Sequence, residues 1–169
     1  MTQDESTLIH REYVSGRPFE AVIEAFEAVV GTLDDASLQE AVTASSDEAG
    51  FEARLRAFEG SSGFMKFFVA DHGAWLARVG QKARARMYVI GNPLIARTML
   101  RHDVAMGLHV PVRVLIYEHR GDGKCHLGYD VPSSLMARLG NEELLVAARK
   151  LDDKLARLAE QVTGDSARG

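Results

Sequence analysis

Residues 84–101 read RARMYVIGNPLIARTMLR, and they contain the change from strand to helix that decides the fold. Side chains in residues 84–90 alternate between two faces, which predicts a strand with one face buried. The pattern changes at Asn92, because an Asn side chain can cap free backbone N–H groups and Pro93 suits the first helical position. A helix from Pro93 to about Arg101 is therefore predicted.

Four other segments show the pattern of strands, being either apolar throughout or alternating between apolar and polar residues. They are residues 8–14, 64–69, 110–119 and 124–129. The last two are joined by residues 121–123, Gly-Asp-Gly, which is typical of a tight hairpin turn. The strand predicted at residues 64–69 ends in the pair Asp71-His72, which places polar side chains at the end of an apolar strand.

Apolar residues at helical spacing predict helices between and after these strands. Residues 19–30 follow the i, i+3, i+4, i+7 rhythm of one buried face, with Pro18 at the start. A short helix is predicted to begin at Pro132. Asn141 is placed to cap a last helix, whose apolar residues recur through residues 144–162.

Residues 32–60 form a polar and acidic segment with two weaker helical patterns, one around Leu38 and one ending near Phe58. Residues 45–47, Ser-Ser-Asp, supply capping side chains for the second pattern. Residues 60–63, Gly-Ser-Ser-Gly, are typical of a flexible joint. We expect this insert to be an appendage packed on the surface, with a lid as the alternative.

The predicted order of elements is strand, helix, insert, strand, strand, helix, strand, strand, helix, helix. Because hairpins alternate with helices, this order favours an α+β fold in which an antiparallel sheet is packed on one side by helices. The 169 residues show no internal repeat, so one domain over residues 1–169 is predicted, with the insert at 32–60.

The composition, 46% hydrophobic and 26% charged, is that of a globular protein rather than a disordered one. No apolar run approaches the roughly 20 residues that span a bilayer, so no membrane partner is expected. The single cysteine, Cys125, has no internal disulfide partner, and residues 1–5 are polar and acidic rather than signal-like. Both features favour a cytoplasmic location.

The net charge of −4 hides an asymmetry along the chain. Residues 1–60 carry 13 acidic and 4 basic side chains, whereas residues 61–169 carry 11 acidic and 16 basic ones. The basic residues are not interleaved with stacking aromatics and belong to no nucleic-acid-binding motif, so a nucleic-acid partner is not expected. Charge pairing between the two halves, or a docking face, is the simpler explanation.

Short motifs follow one another in a distinctive order between residues 64 and 163. A strand ends in Asp-His, the next ends in Gly-Asn-Pro, and a helix contains Met. A strand led by Pro then ends near an acidic residue, and a last strand ends in Tyr. The residues in question are Asp71, His72, Gly91, Asn92, Pro93, Met99, Pro111, Glu118 and Tyr129. This order resembles the bacterial family named domain of unknown function 302, DUF302, and the first strand and helix also fit, so the resemblance covers most of the chain except residues 32–60.

The resemblance implies a compact α+β fold of the TATA-binding-protein-like type and a homodimer. It implies no established chemistry, so function has to be argued from the site itself. The chain also departs from the family pattern, since Val131 separates Asp130 from Pro132 and a helical insert is present.

His72 is the strongest candidate for chemistry, because a His beside an Asp at a strand end can act as a general acid or base. Asp71 would tune its charge and Tyr129 would be a partner in proton transfer, which makes these three the candidate catalytic residues. A His in this place can equally ligate a metal or a haem iron. The structural alternative is that Asp71 caps the following turn and His72 bonds to the backbone.

Five further residues are candidates for ligand binding, namely Gly91, Asn92, Met99, Tyr117 and Glu118. Asn92 starts a helix whose N-terminus can bind an anion, although a helix cap is the simpler interpretation. Met99 at helical spacing is typical of a core residue. Tyr117 carries a phenol that suits either a pocket or the edge of the core.

The remaining histidines show none of the spacings of known metal motifs. His119 and His126 flank the predicted hairpin and can face each other across it. Two histidines alone predict only adventitious metal binding, so no metal site is predicted, and no cofactor is specified.

We therefore expect a small-molecule-binding protein with a pocket between sheet and helices, its mouth lined by His72, Tyr129 and the helix start at Asn92. One alternative is a small enzyme that uses His72 as general acid or base on an organic substrate. Others are a haem- or metal-binding protein through His72, and a module that binds a partner through the insert.

Overall fold

Six strands form one sheet in the computed structural model, which describes residue 1 and residues 5–164. They are β1 (His10–Ser15), β2 (Gly31–Thr32), β3 (Met65–Asp71), β4 (Ala85–Gly91), β5 (Val112–Glu118) and β6 (Cys125–Asp130). Their order across the sheet is β1-β6-β5-β4-β3-β2, and all neighbours are antiparallel except the parallel pair of β2 and β3. The predicted α+β class with a mainly antiparallel sheet is confirmed.

Helices occupy most of the connections. They are α1 (Phe19–Val29), α2 (Asp35–Ala44), α3 (Glu48–Arg56), α4 (His72–Arg78), α5 (Pro93–Leu100), α6 (Pro132–Met136) and α7 (Glu142–Thr163), with 3-10 turns at Val104–His109 and Ala137–Leu139. Asn92 and Asn141 cap α5 and α7, as their sequence positions predict. Within the described part of the chain, no helix has the length and apolarity that crossing a membrane would need.

Alternation along the strands decides which face of the sheet is buried. The inward residues of β5 are Val112, Val114 and Ile116. Helices α1 and α7 pack on this face, where the ring of Phe26 lies 4.6 Å from that of Tyr88. Arg113 points to the opposite face of the sheet, which no described helix covers there. Phe68 of β3 lies in the same row across the sheet, because both residues pair with Val89 of β4, and it is 57% exposed.

Residues 32–60 pack on the domain through a second, smaller core. Its buried members are Leu33, Ala41, Leu55, Met65 and Leu94. Helices α2 and α3 therefore share apolar contacts with β3 and α5, which is how a segment so rich in polar residues is held in place.

The chain segments that lead into and out of residues 32–60 pass close to each other at Gly31 and Gly60. The N–H groups of Gly31 and Gly60 both donate to the carbonyl oxygen of Phe64, at 2.9 and 3.2 Å. A Cβ on Gly31 would overlap the carbonyl oxygen of Phe58, and a Cβ on Gly60 would overlap the backbone of Gly31. Residues 60–63, expected as a flexible joint, instead belong to a hydrogen-bonded crossing in which positions 31 and 60 leave no room for a Cβ.

Ion pairs within the chain neutralise part of the charge asymmetry between its two parts. Arg97 of α5 pairs with Glu48 at 2.8 Å and with Glu52 at 3.0 Å, both on α3. Arg86 of β4 lies 3.4 Å from Glu27 of α1. Basic residues of the second part of the chain thus pair with acidic residues of the first 60, as charge complementarity predicts.

Candidate functional site

The register of the sheet separates the predicted site residues into two groups. Asp71 ends β3 beside Arg86, close to the start of β4, whereas Gly91 ends β4 itself. His72 and Asn92 therefore lie at opposite ends of the sheet, here named the His72 end and the Asn92 end. The expectation that both line one pocket mouth was wrong, because each follows its own strand and neighbouring antiparallel strands run in opposite directions.

The tyrosines are divided in the same way. Tyr117 and Glu118 end β5 at the His72 end, while Tyr129 lies near the end of β6 at the Asn92 end. Tyr129 is 3% exposed, and its hydroxyl lies 3.4 Å from that of Tyr13. Burial raises the pKa of Tyr129, so the phenol is protonated at neutral pH. The proposed proton-transfer pair of His72 and Tyr129 is not formed.

Asp71 and His72 begin α4 and are both engaged in local bonds. The Asp71 carboxylate accepts the N–H of Ala74 at 2.8 Å and a guanidinium N–H of Arg86 at 3.0 Å. These bonds, the first above all, lower the pKa of Asp71. His72 Nδ1 accepts the indole N–H of Trp75 at 3.1 Å. Asp71 is thus a helix cap, as the structural interpretation predicts, whereas the bond of His72 is to the Trp75 side chain and not to the backbone.

Tyr117 and Glu118 also have partners at the His72 end. The Tyr117 hydroxyl donates to Glu12 of β1, and burial followed by this bond raises the pKa of Tyr117 to about 12. Glu118 lies 3.5 Å from Arg84 and borders a depression of about 300 Å³. Neither residue reaches the Asn92 end, so neither contributes to a site there.

Asn92 is buried, and its amide is fully engaged. Its Oδ1 accepts the N–H of Leu94 at 2.8 Å. Its Nδ2 donates to Glu59 Oε1 at 2.7 Å and to the carbonyl oxygen of Gly63 at 2.9 Å. The helix-cap interpretation is confirmed, and the same side chain also ties α5 to the end of the 32–60 segment.

The start of α5 has no donor left for an anion. Pro93 lacks an N–H, and the N–H of Leu94 is held by the Asn92 side chain. The N–H groups of Ile95 and Ala96 bond to the Asn92 carbonyl oxygen at 3.0 and 2.9 Å. Since anion binding at a helix start uses these same groups, the anion hypothesis finds no support here.

A cavity of about 510 Å³ lies beside α5 at the Asn92 end. Apart from Asn92, its walls are apolar side chains and glycines. They include Leu38, Phe67, Gly91, Ala96, Met99 and Pro111. The volume is in the range of small-molecule sites, which are mostly apolar. Of the residues predicted from sequence to bind a ligand, Gly91, Asn92 and Met99 line this cavity.

Phe67, Ala96 and Pro111 were missed by the sequence reasoning. Gly91 brings two of them together, since a Cβ at this position would lie 3.1 Å from both Phe67 Cε2 and Pro111 Cβ. Ala96 could have been found from spacing, because it follows Pro93 by one helical turn on the same face of α5. A small residue between larger ones on such a face leaves an unfilled volume.

A solved structure shows the same fold. The chain is similar to the crystal structure of the uncharacterized conserved protein DUF302 from Bacillus stearothermophilus, with 16% identity and a TM-score of 0.64. The similarity covers 90% of this chain and 97% of that one. At this level of identity, the likeness concerns the fold alone. No curated protein matches the chain.

A family model extends this likeness to the sequence. The model described as Domain of unknown function DUF302 matches residues 39–162. The match includes most of the 32–60 segment, which the resemblance based on motifs had left out. Because the match spans more than half of the 169 residues, the chain belongs to the DUF302 family.

Proposed function

We propose that the chain binds a small, largely apolar molecule in the cavity beside α5. The observation that carries this proposal is a volume of about 510 Å³ bordered by apolar side chains. Apolar surface removed from water stabilises a complex by roughly 25 cal/mol per Å². The polar groups closest at hand, the Asn92 amide and the first N–H groups of α5, are already engaged, which favours an uncharged occupant.

The proposed site lies at the Asn92 end rather than beside His72. His72 accepts a hydrogen bond from Trp75, and its expected partner Tyr129 is buried at the far end of the sheet. The geometry of His72 therefore favours neither an enzyme built on a His72–Tyr129 pair nor a shared role for His72 in the cavity.

The substitution Ala96→Phe is expected to weaken binding of N-phenyl-1-naphthylamine, a neutral apolar fluorophore, by about tenfold or more. Ala96 is half-buried on the cavity wall, so a benzyl side chain there fills the space that the probe would occupy. Fluorescence titration measures the dissociation constant directly.

The matched control is Ala53→Phe, which makes the same change on an exposed position of α3. It is expected to leave probe binding unchanged. The unfolding midpoint of both variants shows whether the fold is retained. Unaltered probe binding in a folded Ala96→Phe protein would place the binding site elsewhere.

We also propose that the chain forms a homodimer, as the family resemblance implies. The open face of the sheet supports this, since Phe68 of β3 is 57% exposed there and lies in register with the half-buried Val89 of β4. Exposed apolar patches of this kind mark interaction surfaces. Sedimentation equilibrium is expected to give twice the chain mass of 18.5 kDa for the native protein and the single mass for Phe68→Glu. A native mass of 18.5 kDa would contradict the dimer.

A further inference from the structure

The hairpin between β5 and β6 brings three side chains with metal-binding groups together. Asp122 lies in the turn, with His119 before it and His126 after it. The Asp122 carboxylate is 3.3 Å from His119 Nδ1 through one oxygen and 3.0 Å from His126 Nε2 through the other. The candidate ligand atoms of all three residues lie within 4.8 Å of one another. This cluster is at the His72 end, away from the cavity.

The distances suit a single ion. Ligand atoms about 2.0–2.2 Å from a tetrahedral zinc ion are separated from one another by about 3.3–3.5 Å. The two carboxylate–imidazole distances, 3.3 and 3.0 Å, are close to this separation. They run to the two different oxygens of Asp122, so one ion is shared either by both oxygens or by one of them after a small rotation of the carboxylate. Two imidazoles with one carboxylate are a ligand set for divalent first-row transition metals.

The turn holds two of these ligands in place. The His119 ring lies over Gly121, where a Cβ would be 2.8 Å from the ring Cε1. Gly123 has φ +66°, in the left-handed region that favours glycine. The N–H of Lys124 donates to Asp122 Oδ1 at 3.0 Å, which fixes the orientation of the carboxylate.

His126 is oriented by a carboxylate from a different strand. Its Nδ1 lies 3.1 Å from Glu12 Oε1, and the Tyr117 hydroxyl donates to the same oxygen. A carboxylate on one imidazole nitrogen holds a proton there and leaves the other nitrogen to a metal. His126 Nε2 lies 3.0 Å from the Asp122 oxygen, so these two atoms are close enough to bind the same ion.

We propose that His119, Asp122 and His126 bind one divalent first-row transition-metal ion, with Zn²⁺ as the reference, and that Glu12 positions His126. His119 and Asp122 are exposed, so the ion keeps a coordination position open to solvent. The site is independent of the apolar cavity. Sequence spacing did not reveal it because the third ligand lies in the turn, between two histidines that alone predict only adventitious binding.

Calorimetric titration of the full chain with ZnCl₂, after metal removal by chelation and without an affinity tag, tests the proposal. Saturation at one equivalent is expected. His119→Ala and Asp122→Asn are each expected to weaken Zn²⁺ binding by more than about 100-fold, since loss of a ligand exceeds the usual effect of an outer partner. Both residues are exposed, so the unfolding midpoint without metal is expected to stay near that of the native chain.

Glu12→Gln separates positioning from ligation. It keeps all three ligands and is expected to weaken Zn²⁺ binding by about 10–100-fold. Glu24→Gln, on an exposed position of α1, is the matched control and is expected to have no effect. Binding that fails to saturate at one equivalent, or that survives in His119→Ala, would overturn the proposal. Binding of N-phenyl-1-naphthylamine is expected to be the same with and without Zn²⁺.

Discussion

Replacing Gly60 with alanine is expected to lower the free energy of unfolding by about 3 kcal/mol or more. A Cβ at Gly60 would overlap the backbone of Val29 and Gly31. Backbone atoms cannot swing aside as the end of a flexible side chain can, so one of the two chain segments has to move. That movement would break the bonds that Gly31 and Gly60 donate to Phe64.

Urea unfolding followed by circular dichroism measures this loss, with Gly16→Ala as the matched control. A Cβ on Gly16 meets nothing within 4 Å, and its φ is outside the left-handed region, so its substitution is expected to change stability by no more than about 1 kcal/mol. Gly31→Ala is expected to match Gly60→Ala, because its Cβ would overlap the Phe58 carbonyl oxygen. A Gly60→Ala protein as stable as Gly16→Ala would show that the crossing is loose.

Replacing Asn92 with alanine is expected to cost about 3 kcal/mol of stability. Loss of an N-cap side chain costs about 1 kcal/mol, and loss of a hydrogen bond to a charged group about 1.5–3 kcal/mol. Asn92 combines both, because it accepts from Leu94 and donates to the Glu59 carboxylate and to the Gly63 carbonyl oxygen. Because Asn92 is buried, water cannot fully replace these hydrogen bonds in the alanine variant.

Asn141→Ala provides the comparison, since Asn141 caps α7 through the N–H of Leu144 at 3.0 Å. Among residues 5–164, its side chain has one further hydrogen bond, of 3.4 Å, to the His102 carbonyl oxygen. We expect it to cost about 1 kcal/mol. Asn92→Asp keeps the cap but brings a second carboxylate against Glu59, so it is expected to be nearly as damaging as alanine at neutral pH. If Asn92→Ala and Asn141→Ala lowered the free energy of unfolding equally, Asn92 would contribute no more than an ordinary helix cap.

The elements of this fold were predictable because their signals are local. Alternation in residues 84–90, the Asn–Pro pair before α5 and the Gly-Asp-Gly turn each report on backbone conformation within a few residues. Asn141 likewise marks the start of α7. Such signals need no knowledge of neighbours in space, and the structure bears each of them out.

The arrangement of the candidate site was less predictable because it depends on strand direction and on contacts between distant residues. Asp71 and Asn92 each follow a strand, but antiparallel pairing of those strands sends them to opposite ends. The role of Asn92 depends on Glu59, 33 residues away, and no local pattern contains that contact. In the hairpin cluster, His126 contacts Glu12, 114 residues away along the chain.

The crossing at Gly31 and Gly60 has a consequence for how this protein can diverge. Gly31 and Gly60 lie next to each other, so residues 32–60 form a loop with adjacent ends. The length of this loop therefore does not affect how β2 and β3 pair. The entropy of closing such a loop rises by only about 0.6 kcal/mol for each doubling of length. Leu38 carries one wall of the cavity on this loop. Lengthening, shortening or exchanging the loop would therefore reshape this cavity while the register of the sheet is kept.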